Sequence, residues 1–243
     1  MILANLRSRL TPADWTLVLD VLSGGNDHRR AALEARAARE GPDVLLDSPG
    51  LDRALRDLPG VRQPSAELFV YVLVRRCLLD LGLADVRLAD YLGALVLEFG
   101  DRDRAYRPTR HDDATYRYLV DLVADIEHVP ARRGFLLRVH LGNFSLWLAG
   151  MFPDWIVHRS HRKGGPTLAY YEALGARGYR LAADHHLARE LALDDIFTAV
   201  AETFPRLRVA LNRMADTSLF PDAHTPDRLL RQVADTFRYP TDA

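Results

Sequence analysis

The stretch LLRVHLGNFSLWLAGMFPDWI, residues 136–156, decides how the rest of the sequence is interpreted. A helix that turns about 100° per residue would place only small residues, Gly142, Ser145 and Ala149, on one face beyond its first turn. Leucines fill both flanks, so such a helix keeps almost no face for solvent. We therefore expect residues 135–152 to form the buried centre of a helical bundle, with the small face against a neighbouring helix backbone.

The opposite face of this helix carries polar and aromatic side chains. They are His140, Asn143, Phe144, Trp147 and Met151. A buried His or Asn without hydrogen-bond partners costs about 1–3 kcal/mol. Two interpretations stay open. In the favoured one these groups are polar residues satisfied within the core, and in the other they form the wall of a ligand pocket.

Helix signals continue outward from this stretch in both directions. Apolar positions recur every three or four residues, and caps, glycines and prolines separate the segments. Pro205 should kink or end its helix. Besides the central helix, the sequence predicts helices near 12–22, 26–40, 51–58, 65–82, 85–100, 114–129, 167–191, from 194, and 225–237. The predicted class is all-α, with about nine or ten helices in one bundle.

The best candidate for a domain boundary is residues 41–65, which hold four prolines and three glycines. Residues 1–40 offer too little apolar surface for a core of their own. We therefore predict a single helical domain over residues 1–243. Within it, residues 1–60 form peripheral N-terminal helices and residues 61–243 form the core bundle.

Composition limits the compartment and the partners. The formal net charge is −1, so no overall positive field attracts nucleic acid. Cys77 is the only cysteine, which rules out an internal disulfide. No run reaches the roughly 18 uncharged apolar residues of a membrane span, and the N-terminus lacks a secretory pattern. We expect a cytoplasmic protein that binds neither membrane nor nucleic acid.

No motif in the sequence specifies a reaction, a metal or a cofactor. The pairs Asp112-Asp113 and Asp194-Asp195 sit where helices should begin, and there aspartate caps the helix and complements its dipole. The histidines near 158–161 and 184–186 match no zinc spacing. We therefore expect no catalytic residue, no metal ligand and no cofactor.

Two sets of residues could still bind a small molecule. The pocket interpretation of the central helix predicts a lining of His140, Asn143, Trp147, Tyr171 and His185. The basic stretch HRSHRKGGP, residues 158–166, is interpreted first as a solvated loop. The alternative is an anion site at the start of the next helix. Its residues would be Arg162, Lys163, Gly164 and Gly165.

The opening stretch and residues 170–179, YYEALGARGY, together resemble a known pattern. The chain resembles an uncharacterised family of bacterial helical proteins with the pattern G-(D/N)-x-x-L-x-x-x-G-x-F-P followed by Y-Y-x-x-L-G-x-x-x-Y. The resemblance covers roughly residues 60–215. It implies a helical fold and a bacterial cytosol, and it assigns no catalytic roles. Asn143 stands where the pattern leads us to expect Asp. The matching positions are Gly142, Asn143, Leu146, Gly150, Phe152, Pro153, Tyr170, Tyr171, Leu174, Gly175 and Tyr179.

The sequence thus favours a non-enzymatic helical interaction or scaffold protein that forms a homo-oligomer or binds another protein. The alternative is a small-ligand-binding protein or a hydrolase with its pocket around His140 and Asn143. An exposed apolar patch of several hundred Å² would favour the first hypothesis. A cavity of about 300 Å³ or more at the pocket residues would favour the second.

Overall fold

The computed structural model describes residues 2–58, 63–101, 103–223 and 225–240. It is 73% helical, which confirms the predicted all-α class. No strand occurs in the described residues. The described α-helices are α1 Pro12–Ser23, α2 Asp27–Glu40, α3 Asp43–Leu46, α4 Leu51–Arg56, α5 Ala66–Leu79, α6 Val86–Gly100, α7 Leu119–Ile126, α8 Ala131–Met151, α9 Pro153–Lys163, α10 Leu168–Ala183, α11 His186–Glu190, α12 Asp194–Met214 and α13 Pro226–Arg238.

The central helix, α8, is buried as predicted. Helices α10 and α12 pack along it, and α5 and α6 close the bundle beside α12. A Cβ atom on Gly142 would lie 2.7 Å from the ring of Tyr179, and one on Gly178 would lie 2.9 Å from the carbonyl oxygen of Arg138. The small face of α8 therefore lets α10 approach until backbone and ring are in direct contact.

Several helix starts follow from short-range capping. The Thr11 hydroxyl accepts a hydrogen bond from the Asp14 amide, and the Asp14 carboxylate accepts one from the Thr11 amide in return. Ser65 and Thr225 cap α5 and α13 in the same way with their hydroxyls. These three starts match the sequence prediction because each depends only on neighbouring residues.

The helix predicted over residues 114–129 is shorter than expected, since α7 spans only Leu119–Ile126. Asp112 does not cap it. Its carboxylate pairs with the guanidinium of Arg133 and accepts from the Ala114 amide. The Tyr116 amide donates to the Tyr106 carbonyl at 2.7 Å. The bonds from Arg133 to Asp112 and from Tyr116 to Tyr106 join residues distant in sequence. They hold residues 112–118 outside the helix.

The prediction of a single helix over residues 167–191 is also wrong, because α10 ends at Ala183 and a separate helix, α11, begins at His186. His185 has an extended backbone, and its Nδ1 accepts from the Leu187 amide as the cap of α11. The buried side of α10 runs through Tyr171, Gly175 and Tyr179, and Leu181 is exposed. The cap at His185 therefore interrupts the helix, although the apolar periodicity continues past this position.

Pro205 lies inside α12 and does not end it. Phe204 and Leu207, on either side of the proline, are fully buried. Their packing holds the helix together where the proline amide hydrogen is missing. A π-helical segment, Ala215–Leu219, then follows directly.

Two further features differ from the prediction or add to it. Residues 158–163, predicted to lie in a loop, form the last turns of α9. Near the N-terminus, Ile2 and Leu6 are completely buried in the same apolar cluster as the central helix. The Arg7 amide and guanidinium both donate to Asp90 of α6.

Within the described residues, no single helix is long and apolar enough to cross a membrane. Helices α8 and α9 pass the length and composition test only as a pair, which is bent by 91°.

Candidate functional site

Asn143 belongs to the buried core. Its Oδ1 accepts hydrogen bonds from the hydroxyls of Tyr91, at 2.7 Å, and Tyr179, at 2.6 Å. All three side chains are buried. Two hydroxyls on one carbonyl oxygen tie α6, α8 and α10 together. The side-chain oxygen of Asn143 therefore has its hydrogen-bond partners within the core.

His140 lies one helical turn before Phe144, and the two rings stack at 5.8 Å. Its Nε2 has no hydrogen-bond partner among the described residues. Burial, and to a smaller extent the positive charge of the nearby Arg104, lower the pKa of His140 to about 3. The imidazole is therefore neutral near pH 7. Its ring packs against that of Phe99.

His185 lies apart from Asn143 and His140. Its ring lies 5.2 Å from Phe135 and 4.4 Å from His186, beyond the end of α10. The structure thus does not bring the five predicted pocket residues together. Trp147 lines one lobe of a cleft, and Tyr171 lines the adjoining lobe.

That cleft lies among α8, α9, the start of α10 and the bend before α7. It has two adjoining lobes of about 430 Å³ and 180 Å³, which share six lining residues. We call it the aromatic cleft. Its lining consists of Tyr106, Arg117, Tyr118, Leu119, Val120, Phe144, Trp147, Leu148, Phe152, Trp155, Arg159, Pro166, Tyr170 and Tyr171.

Two arginines line both lobes of the aromatic cleft. The guanidinium carbon of Arg159 lies 5.2 Å from the Trp155 ring centre and 5.7 Å from that of Tyr118. That of Arg117 lies 5.4 Å above Tyr106. In the part of the chain that the structure describes, neither arginine has a carboxylate within ion-pair distance, and no acidic side chain lines the cleft.

The predicted anion-binding residues lie just beyond this cleft. Arg162 and Lys163 are exposed in the last turn of α9. The amides of Gly164 and Gly165 both donate to the Arg159 carbonyl as the cap of that helix. Those two amides are therefore engaged and do not face an anion. From the same basic stretch, Arg159 and Pro166 line the aromatic cleft.

A second surface of interest lies on α13, because this helix buries a charged face and exposes an apolar one. Three of its charged residues, Arg228, Arg231 and Asp235, are buried. On the opposite side, exposure reaches 56% for Leu229, 70% for Leu230, 54% for Val233 and 85% for Phe237. We call these four side chains the outer face of α13. At 100° per residue they share one arc of the helix.

Buried ion pairs hold α13 in this orientation. Asp235 accepts from the guanidinium of Arg208 on α12 at 2.5 Å, and Arg208 also pairs with Glu172 of α10. Arg231 pairs with Asp154 of α9 and Asp216 of the π segment. Removing one member of such a pair would leave a buried charge uncompensated. Rotating α13 to bury its apolar face would break all of these contacts.

No three His, Cys, Asp or Glu side chains of the described residues come together in a way that could hold a metal ion. Burial raises the pKa of the Cys77 thiol to about 12, so it stays protonated and weakly nucleophilic.

Comparisons with known proteins give no relative: no family model, no curated protein and no solved structure matches the chain.

Sequence reasoning missed the arginines of the aromatic cleft and the orientation of α13. A signal for the first was present, because Trp155 and Arg159 are four residues apart on one helix face. The apolar stripe of α13 is also visible in the sequence. Its outward direction is not, since it depends on Asp154 and Asp216, which lie outside this helix.

Proposed function

We propose that this chain is a non-enzymatic interaction protein that self-associates through the outer face of α13. The observation that carries the proposal is the inverted burial of this helix. Its charged side is anchored inside the protein and its apolar side faces water. Exposing large apolar side chains to water is unfavourable, so a surface of this kind indicates a covering partner.

The size of the outer face supports a stable contact. Its four side chains leave on the order of 500 Å² of apolar surface, near the upper end of what a soluble monomer exposes in one patch. Two copies that cover each other's outer face would bury on the order of 1,000 Å² in total, the size at which biological interfaces begin.

The chemistry of the outer face favours a second copy of the same chain as the partner. Its arc contains no charged side chain between Leu229 and Phe237, so two copies related by a twofold axis meet apolar against apolar. An isologous contact requires such a self-complementary surface. A charged partner would find nothing on this arc to pair with.

The test is the solution mass of variants measured by light scattering. The double change Leu230→Asp with Phe237→Asp should convert a dimer to a monomer without loss of thermal stability, because both side chains are exposed. Leu191→Asp is the matched control, since Leu191 is half exposed outside α13. A dimer that survives the double change would overturn the proposal.

The proposed setting is the cytoplasm of a bacterium. The support comes from the sequence, namely the single cysteine and the resemblance to a family of bacterial helical proteins.

A further inference from the structure

We propose that the aromatic cleft binds a small organic anion with a planar aromatic body. The site is separate from the outer face of α13, and the inference does not depend on self-association. It rests on three properties of the cleft: its volume, its ring-lined walls and its two arginines without carboxylate partners.

The size of the cleft suits a small molecule. The larger lobe, about 430 Å³, falls in the range of roughly 300–1,000 Å³ that ligand pockets occupy. The smaller lobe adds about 180 Å³ toward Tyr170 and Tyr171. A bicyclic ring system fits the larger lobe, and a substituent on it can extend into the smaller one.

The floor of the cleft is built to stay in place. Phe144 and Trp147 stack on each other at 6.2 Å, and Phe144 stacks on His140 beneath it. Phe99 packs against both Trp147 and His140. A planar ligand therefore meets ring faces and edges that are already fixed, which lowers the entropic cost of binding.

The walls of the cleft leave aromatic rings in contact with water. Tyr118, Trp155 and Tyr170 line the cleft and are each about half exposed. Rings in such positions gain contact area when a flat apolar ligand covers them. Their hydroxyl and indole groups can remain solvated at the rim.

The positive charge of the two arginines in the cleft favours an anionic ligand. Elsewhere in the described chain, buried arginines pair with carboxylates: Arg75 with Asp47 and Arg208 with Asp235. Arg117, which is exposed, and Arg159, which is half-buried, line the cleft with no carboxylate among its described lining residues. A carboxylate or sulfonate on the ligand would supply the missing partner.

Stacking prepares both arginines for this role. Arg159 lies over Trp155 and Tyr118, and Arg117 over Tyr106. A guanidinium held by cation–π contacts keeps its in-plane N–H donors available for bidentate hydrogen bonds to a planar anion. The two residues can therefore approach one anionic group from two sides.

The experiment measures binding of 2-naphthoate and its uncharged analogue 2-naphthamide by calorimetry near pH 7. The parent should bind 2-naphthoate at least about tenfold more tightly than the amide, because charge-assisted hydrogen bonds are the stronger kind. Arg117→Gln with Arg159→Gln should raise the Kd for 2-naphthoate at least about tenfold. The same change should leave the Kd for the amide within about twofold.

Two control variants establish whether the ligand occupies the aromatic cleft. Arg162→Gln removes one positive charge from the exposed end of the same helix, and it should leave both Kd values unchanged. The change Leu230→Asp with Phe237→Asp should also leave them unchanged, which shows that the ligand is not on α13.

Three results would overturn the inference. The first is undetectable binding of 2-naphthoate to the parent. The second is an equal Kd in the parent and the Arg117/Arg159 double variant. The third is inorganic sulfate that competes as strongly as 2-naphthoate, because the aromatic body would then contribute nothing.

Discussion

Gly142→Ala offers a quantitative test of how α8 and α10 pack. The new Cβ would lie 2.7–2.8 Å from three ring carbons of Tyr179, whereas ordinary contacts begin near 3.4 Å. The ring has little freedom to move, because its hydroxyl donates to Asn143 at 2.6 Å and it packs against Phe197 and Phe204. Relieving an overlap of this kind costs about 1–3 kcal/mol.

Two other contributions enter the free energy of unfolding. Replacing a helical glycine with alanine contributes about 1 kcal/mol in favour of the folded state. Displacing the Tyr179 hydroxyl from Asn143 costs about 1–3 kcal/mol. The net effect we expect is a destabilisation of about 1–5 kcal/mol, which lowers the Tm by roughly 2–20 °C for a chain of this size. Gly142→Leu should destabilise the fold more than Gly142→Ala, since leucine has the larger side chain.

Thermal and denaturant melts followed by circular dichroism measure this effect. Gly100→Ala is the matched control, because a Cβ on that helical glycine meets no atom within 4 Å. The control should leave stability unchanged or raise it slightly. A Gly142→Ala variant as stable as the parent would refute the close approach of the two helices.

Two further predictions concern the polar residues of α8. Asn143→Leu should destabilise the fold by about 2–5 kcal/mol, because it leaves two buried tyrosine hydroxyls without their acceptor; a melt like that of the parent would contradict this. The pKa of His140 is about 3 in the folded protein and 6.5 without burial, so the unfolded chain binds the extra proton between these values. Falling pH should therefore cost the parent up to about 1.4 kcal/mol per unit in that window. His140→Phe should remove this slope, and urea unfolding at several pH values tests it: equal slopes in parent and variant would be the contrary result.

The sequence predicted those parts of the fold that depend on nearby residues. The small face of α8 and the caps at Thr11, Ser65 and Thr225 depend on neighbours along the chain, and they are confirmed. The break at His185 was missed because its cap competes with an apolar stripe, and the stripe alone favours a continuous helix.

The candidate sites were less predictable, because residues from distant segments form them. The aromatic cleft takes Arg117 from the bend before α7 and Arg159 from α9, and no local pattern joins the two. The orientation of α13 depends on a contact between Arg231 and Asp154, 77 residues apart. Apolar periodicity identifies a stripe on a helix, but it does not say whether the stripe faces the core or a partner.

Sedimentation equilibrium of the unmodified chain tests the central claim, self-association through α13, most directly. The chain has a mass of 27.4 kDa. The account predicts that the measured mass rises with concentration across the micromolar range and levels off at twice that value. A mass that stays at 27.4 kDa throughout the same range would contradict it.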